Sequence, residues 1–203
     1  MKVSASLSMK SSRGIARSLP SVACAFVLAV AATWATSAFA QGAAQSAPAR
    51  IKVAVFDMEL QDYTAGGPIA GESPLETARL KLVTSRVRAQ LADSDRYEVV
   101  DVSEDNPNIS AVDRDAMHKH WLWHCNGCEA DIAKALGADR SLLGVFNKVS
   151  VMEQSLVFQM RDAKSGADLG RVGTDLRNET DASWTRAADF VVKDRLLANA
   201  SRN

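Results

Sequence analysis

The sequence predicts an α/β (α+β) domain, a single mixed sheet with helices packed on it in the order β-α-β-α-β-β-β-α. Three observations carry this. Short apolar-alternating runs at Ile51–Asp57 and Tyr97–Val102 are separated by one long helical pattern. A second, shorter helical pattern follows Asn126. Three strand-like runs then succeed one another with little between them, which suits an antiparallel meander closing the sheet.

The first strand, Ile51-Lys52-Val53-Ala54-Val55-Phe56-Asp57, has apolar residues of both parities, which predicts a central position. Met58–Glu72 reads as a long loop broken by Gly66, Gly67, Pro68 and Gly71. Ser73-Pro74-Leu75-Glu76 is a helix start, with a capping serine, a proline at the first helical position and a glutamate completing the capping box. Leu80, Val83, Val87 and Leu91 then form one helical stripe, with Arg79, Lys81, Arg86 and Arg88 outside it. Glu104–Asn108 is a loop, and Ser110–Trp123 reads equally as a short helix or a packed loop. Asn126 is the expected N-cap of the next helix, which Gly137 ends. Leu142–Met152, a run around Leu156, Phe158 and Met160, and Leu169–Leu176 are the three final strands, with Gly144 expected to permit a close backbone approach. Thr180 or Asp181 caps a last helix that buries Trp184, Ala188, Val191, Val192 and Leu196.

Residues 1–40 have the form of a signal peptide. Lys2, Lys10, Arg13 and Arg17 give a basic start, Val22–Ala35 an apolar run, and Ala38-Phe39-Ala40 a small-x-small site with cleavage after Ala40. Residues 41–50 are expected to be a disordered leader, and residues 51–200 one domain. The predicted location is the periplasm. Four of the 24 basic residues and none of the 24 acidic ones fall in the signal, so the mature chain carries 20 against 24, a formal charge of −4. A mildly acidic domain without a basic stripe argues against nucleic acid as a partner. No later stretch approaches the roughly 20 apolar residues of a transmembrane helix, so the mature chain is expected to have none.

Several of these segments resemble a known pattern. Ile51–Asp57 looks like the opening strand of the TolB N-terminal and CsgG-like periplasmic domains. Cys125 through Ile132 to Leu136-Gly137-Ala138-Asp139, then Leu142-Leu143-Gly144-Val145, resemble their helix and following strand. Arg161-Asp162-Ala163-Lys164-Ser165-Gly166 resembles their hairpin, and Ser183-Trp184 their last helix. The resemblance implies a TolB N-terminal-like fold in an uncharacterised family of short secreted bacterial proteins. It further implies a binding or assembly module of the envelope, not an enzyme, with an envelope protein or a glycan as partner. No β-propeller like that of TolB and no pore-forming strands like those of CsgG are expected from these residues.

The chemically unusual stretch is His118 to Glu129, which holds all three histidines and two of the three cysteines. Cys125 and Cys128 in an exported chain read first as a structural disulfide. The alternatives are a thiol-redox pair, since a helix N-terminus favours the thiolate, or a metal site. His118, His120 and His124 are imidazole donors suited to zinc or copper, joined by Cys125 and Cys128 only if these are reduced. The bland reading is polar side chains on a packed loop, and no cofactor is then expected. Covalent haem is excluded because Glu129 stands where a histidine is required. Trp121 and Trp123 are candidate partner-binding residues, or core anchors. Asp57, Glu59 and Asp62 follow the first strand, where open α/β sheets often place ligands, but read as solvated loop charge. No nucleophile elbow, phosphate loop, zinc-protease or paired-carboxylate signature appears.

Overall fold

The computed structural model describes residues 49–103 and 105–198. The expected signal peptide, the leader through residue 48 and residues 199–203 lie outside them. The chain divides after Gln45, and everything described belongs to the second unit.

The core is one open mixed sheet of six strands. β1 (Ile51–Val55) lies parallel to β3 (Tyr97–Val100) on one side and to β4 (Arg140–Lys148) on the other. β4 pairs antiparallel with β5 (Gln154–Asp162), and β5 with β6 (Asp168–Leu176). The loop expected over Met58–Glu72 contains a further strand, β2 (Glu59–Asp62), and one helical turn, α1 (Gly67–Ala70). β2 runs parallel to the second half of β4, end to end with β1 along the same edge. Phe56, Asp57 and Met58 form the step between them. Gly144 of β4 faces this step, and a Cβ there would meet the Phe158 ring and Met58, so the close neighbours are side chains, not backbone.

The strand alternation sorts two cores. Val53, Val55, Leu142, Phe146, Leu156 and Phe158 face α2 (Pro74–Ala92) and the C-terminal helix. Ala54, Phe56, Leu143 and Val145 face Leu122, Ile132 and Ala133 on the opposite layer. α2 starts with the expected capping box: Glu76 N–H donates to Ser73 Oγ (3.3 Å) and Ser73 N–H to Glu76 Oε2 (2.8 Å). Its stripe of Leu80, Val83, Val87 and Leu91 is buried. Off that stripe, Arg79 pairs with Asp181 (2.7 Å) and Arg86 with Asp189, clamping α5 (Asp181–Phe190). α5 is capped by Thr180, whose Oγ1 accepts from Ser183 N–H (3.2 Å), and continues as a π-helical segment, Val191–Leu197. Trp184 stacks on Phe146 with centroids 4.0 Å apart and donates its indole N–H to Gln154 Oε1 (3.2 Å), so its polar end is satisfied inside the core.

The ambiguous segment resolves into α3 (Ala111–His118) and a 3₁₀ turn (Leu122–Cys125), followed by α4 (Cys128–Ala135). Asn126 is not the N-cap. It takes a left-handed conformation (φ 44°), Gly127 caps, and Arg161 Nη2 donates to the Asn126 Oδ1 that would have capped (3.0 Å). The fourth strand also ends earlier than expected, at Lys148, because Val149–Glu153 forms the hairpin turn. Among the described residues no helix is long and apolar enough to cross a membrane.

Candidate functional site, a cleft beside the second strand

β1 and β3 end where β2 begins, so the position beside β2 on its outer edge holds no strand among the described residues. A cleft of about 1060 Å³ occupies that place. α1 and α2 wall it on one side, and the stretch from Met117 to His124 on the other. It lies past the carboxyl ends of parallel strands, with helices on opposite faces of the sheet, which is where open α/β folds form crevices.

The far wall is pinned by Glu59. This residue is 1% exposed, and its carboxylate accepts from Leu122 N–H (2.7 Å) and Trp123 N–H (3.2 Å), the open donors of the 3₁₀ turn. Burial pushes its pKa up, and the two N–H bonds offset only part of that. The reading of Glu59 as solvated loop charge is therefore corrected: it is a buried strand residue. Asp57 is exposed and pairs with Arg88 (2.9 Å), whose guanidinium also takes the last carbonyl of β1, Val55 O (2.7 and 3.0 Å). Asp62 accepts from Thr64 N–H (2.9 Å) and faces Lys148 at 3.5 Å. Its carboxylate fills the space where a Cβ at residue 67 would lie, which explains Gly67. Lys148 also reaches Glu76 and Glu179, each at 2.8 Å. Burial disfavours the Lys148 charge, but these carboxylates outweigh it and raise its pKa.

The three histidines are engaged separately. His120 leaves α3 in a left-handed conformation (φ 49°) and turns Nδ1 to Glu72 Oε2 at 3.1 Å. That hydrogen bond raises the His120 pKa against the opposing effect of burial. Burial works to raise the Glu72 pKa, yet hydrogen bonds from His120 and Thr77 hold it below the usual value. His124 Nε2 contacts Gln61 Oε1 at 2.8 Å, and its ring stacks on Trp121 with centroids 4.3 Å apart and planes at 25°. His118 ends α3 and lines the cleft. Among the described residues no group of three or more His, Cys, Asp or Glu side chains is arranged to hold a metal ion.

The two tryptophans part company. Trp121 is 56% exposed and lines the cleft. Trp123 is half-buried against the second core, with the Arg171 guanidinium 5.2 Å from its ring centre. Cys125 closes the 3₁₀ turn and Cys128 opens α4, with Cα atoms 5.8 Å apart, within the span a disulfide bridges. Glu129 does not leave bare charge beside them, because it is buried against Arg161 Nε at 2.8 Å. Nothing local in the sequence marks Gln61, Glu72 or Arg88 as site residues. Their partners lie 63, 48 and 33 residues away.

Comparison with curated proteins returns no match. Among solved structures, the chain is similar to the LpoB C-terminal domain from Salmonella enterica, at 14% identity over 66% of this chain and 87% of that one, TM-score 0.41. It is similar to lipoprotein GNA1162 from Neisseria meningitidis, at 12% identity over 73% and 96%, TM-score 0.40. It is also similar to TolB from Acinetobacter baumannii, at 15% identity over 75% of this chain but 29% of TolB, TM-score 0.42. No activity or partner is carried over from these likenesses. Residues 51–196 match the model of the DUF3280 family, described as "Protein of unknown function (DUF2380)", and the chain belongs to that family.

Proposed function

We propose that the protein is a periplasmic, non-enzymatic binding module of the cell envelope that presents the cleft beside β2 to its partner. One observation carries the reading: the cleft is roomy and lined by carboxylates that already hold partners. Asp57 is engaged by Arg88, Asp62 by Lys148 and Glu72 by His120. A general acid or base must exchange its proton with a bound substrate. Groups committed to one another in pairs suit recognition better. Export rests on the form of residues 1–40.

The test is site-specific photo-crosslinking in intact cells from position 119, at the rim of the cleft, and from position 169, at the exposed start of β6. A discrete adduct from 119 and none from 169 is expected. No adduct from 119, or the same adduct from both, overturns the reading.

Cys125 and Cys128 are assigned as a structural disulfide tying the 3₁₀ turn to α4. Its short loop puts the stabilisation at the low end, about 2 kcal/mol. Thiol titration under native and denaturing conditions, with elemental analysis of the same sample, should find neither free thiol nor metal. A reduced pair that exchanges readily, or that retains zinc or copper, would replace this assignment with the thiol-redox or metal-binding one.

A further inference from the structure

We infer that the cleft binds an uncharged oligosaccharide, with Trp121 as the platform on which a sugar ring stacks; this rests on the reading of the cleft as the recognition surface. Trp121 is backed on one face by His124, and that imidazole is itself held by Gln61. The indole is therefore already ordered, and little rotamer freedom is lost when a ligand covers its open face. The C–H face of a pyranose is apolar and weakly positive, which matches the negative face of an indole. Tyr63, 59% exposed, adds a second aromatic ring to the lining of the same cleft.

The charges point the same way. Beside the pairs already named, Lys119 at the rim is neutralised by Asp115 (2.6 Å), which leaves exposed Lys81 as a single lining lysine without an ion pair among the described residues. An ionic ligand needs a cluster of unmet charge of the opposite sign, and one exposed lysine among four partnered carboxylates does not make one. A polyol needs hydrogen-bond acceptors and donors without bare charge, and compensated carboxylates and amides supply them. The −4 formal charge of the mature chain and the absence of a basic stripe disfavour polyanions. Small-molecule sites are roughly 300–1,000 Å³, so a cleft of about 1060 Å³ has room for more than one sugar ring.

The experiment uses the secreted, processed protein. Calorimetric titration with chitotetraose, cellotetraose and maltotetraose is paired with co-sedimentation on purified peptidoglycan sacculi. Binding of at least one of the three tetrasaccharides with a dissociation constant below about 1 mM is expected, with a change in tryptophan emission. Trp121→Ala should weaken it tenfold or more while the melting curve stays in place, because the side chain is exposed. Trp121→Phe should retain most of the affinity, and His124→Ala should lose less than Trp121→Ala. No binding to any of the three tetrasaccharides, binding to the sacculi alone, or equal binding by Trp121→Ala, overturns the inference. A protein adduct at position 119 with no glycan bound overturns the saccharide and leaves the recognition surface standing. No adduct and no glycan removes both.

Discussion

Replacing Glu59 tests the geometry of the cleft most directly. Glu59→Ala strips the acceptor from Leu122 N–H and Trp123 N–H at once. A buried donor left without a partner costs about 1–3 kcal/mol. The Leu122 bond is short and buried and should lie high in that range, while Trp123 is half-buried and its bond longer. Relief of the buried carboxylate returns part of the loss. The net expectation is about 3 kcal/mol, or a fall in Tm of roughly 6–12 °C for a domain of this size. Glu59→Gln keeps an acceptor and removes the charge, so it should lose only about 1 kcal/mol. The pH dependence has a definite sign. Burial raises the folded pKa above the usual 4.5, so the folded state binds more protons between the two values, and stability falls as pH rises through that window. Glu59→Gln has no such term, so its deficit should grow as the pH is lowered towards 4.5. Thermal melts monitored by circular dichroism give the energies, and amide hydrogen exchange over residues 119–125 locates them. If Glu59→Ala melts with the wild type and leaves exchange at 122 and 123 unchanged, Glu59 does not hold the wall.

Three further substitutions have clear outcomes. Glu72→Gln should remove up to about 1 kcal/mol, since the pair is partly solvated. Because the folded His120 pKa is raised above 6.5, this stabilisation is present below 6.5 and is lost as pH rises through the folded value; NMR titration should show His120 titrating above 6.5 in the wild type and closer to it in Glu72→Gln. Lys148→Met leaves Asp62, Glu76 and Glu179 without their shared cation, a loss of about 3 kcal/mol. Hydrogen bonds hold the Asp62 and Glu76 pKa values down despite burial, so this loss should be full above their usual values of 3.8 and 4.5 and shrink in acid, read from melts across pH. Arg161→Met strands Glu129 in the core and should cost about 3–5 kcal/mol, while Arg161→Met with Glu129→Leu should recover most of it in urea unfolding.

The elements whose signals are local were legible in the sequence. The Ser73 capping box, the α2 stripe, the Thr180 cap and the glycine ending α4 each depend on neighbours within a few residues. The site was legible only by halves. Two segments drew notice separately, Asp57 to Asp62 and His118 to Glu129, and the fold brings the first, and the second from His118 to His124 with Trp123 left out, to one cleft. β2 was missed because Glu-Leu-Gln-Asp is short and polar, and its strand character comes from pairing with β4 more than 80 residues later. α3 was ambiguous because it buries no side chain completely. Asn126 failed as a cap because Arg161, on a strand still to come, claims its side chain.

The step between β1 and β2 ties these points together. A sheet edge interrupted for three residues exposes backbone groups that nothing in the sheet can pair. Here α2 supplies the partners: Arg88 takes Val55 O, and Thr84 Oγ1 accepts from Met58 N–H at 3.1 Å. Phe56 N–H still reaches Leu142 O on β4 (3.0 Å). With the step satisfied, β2 continues along β4 and leaves its outer side open. Glu59, the first residue past the step, then reaches across to fasten the opposite wall. The helix that carries the first core thus also opens the cleft, and a change at the α2 residue Thr84, which is buried and does not line the cleft, would reach the site as well as one at Arg88, which does.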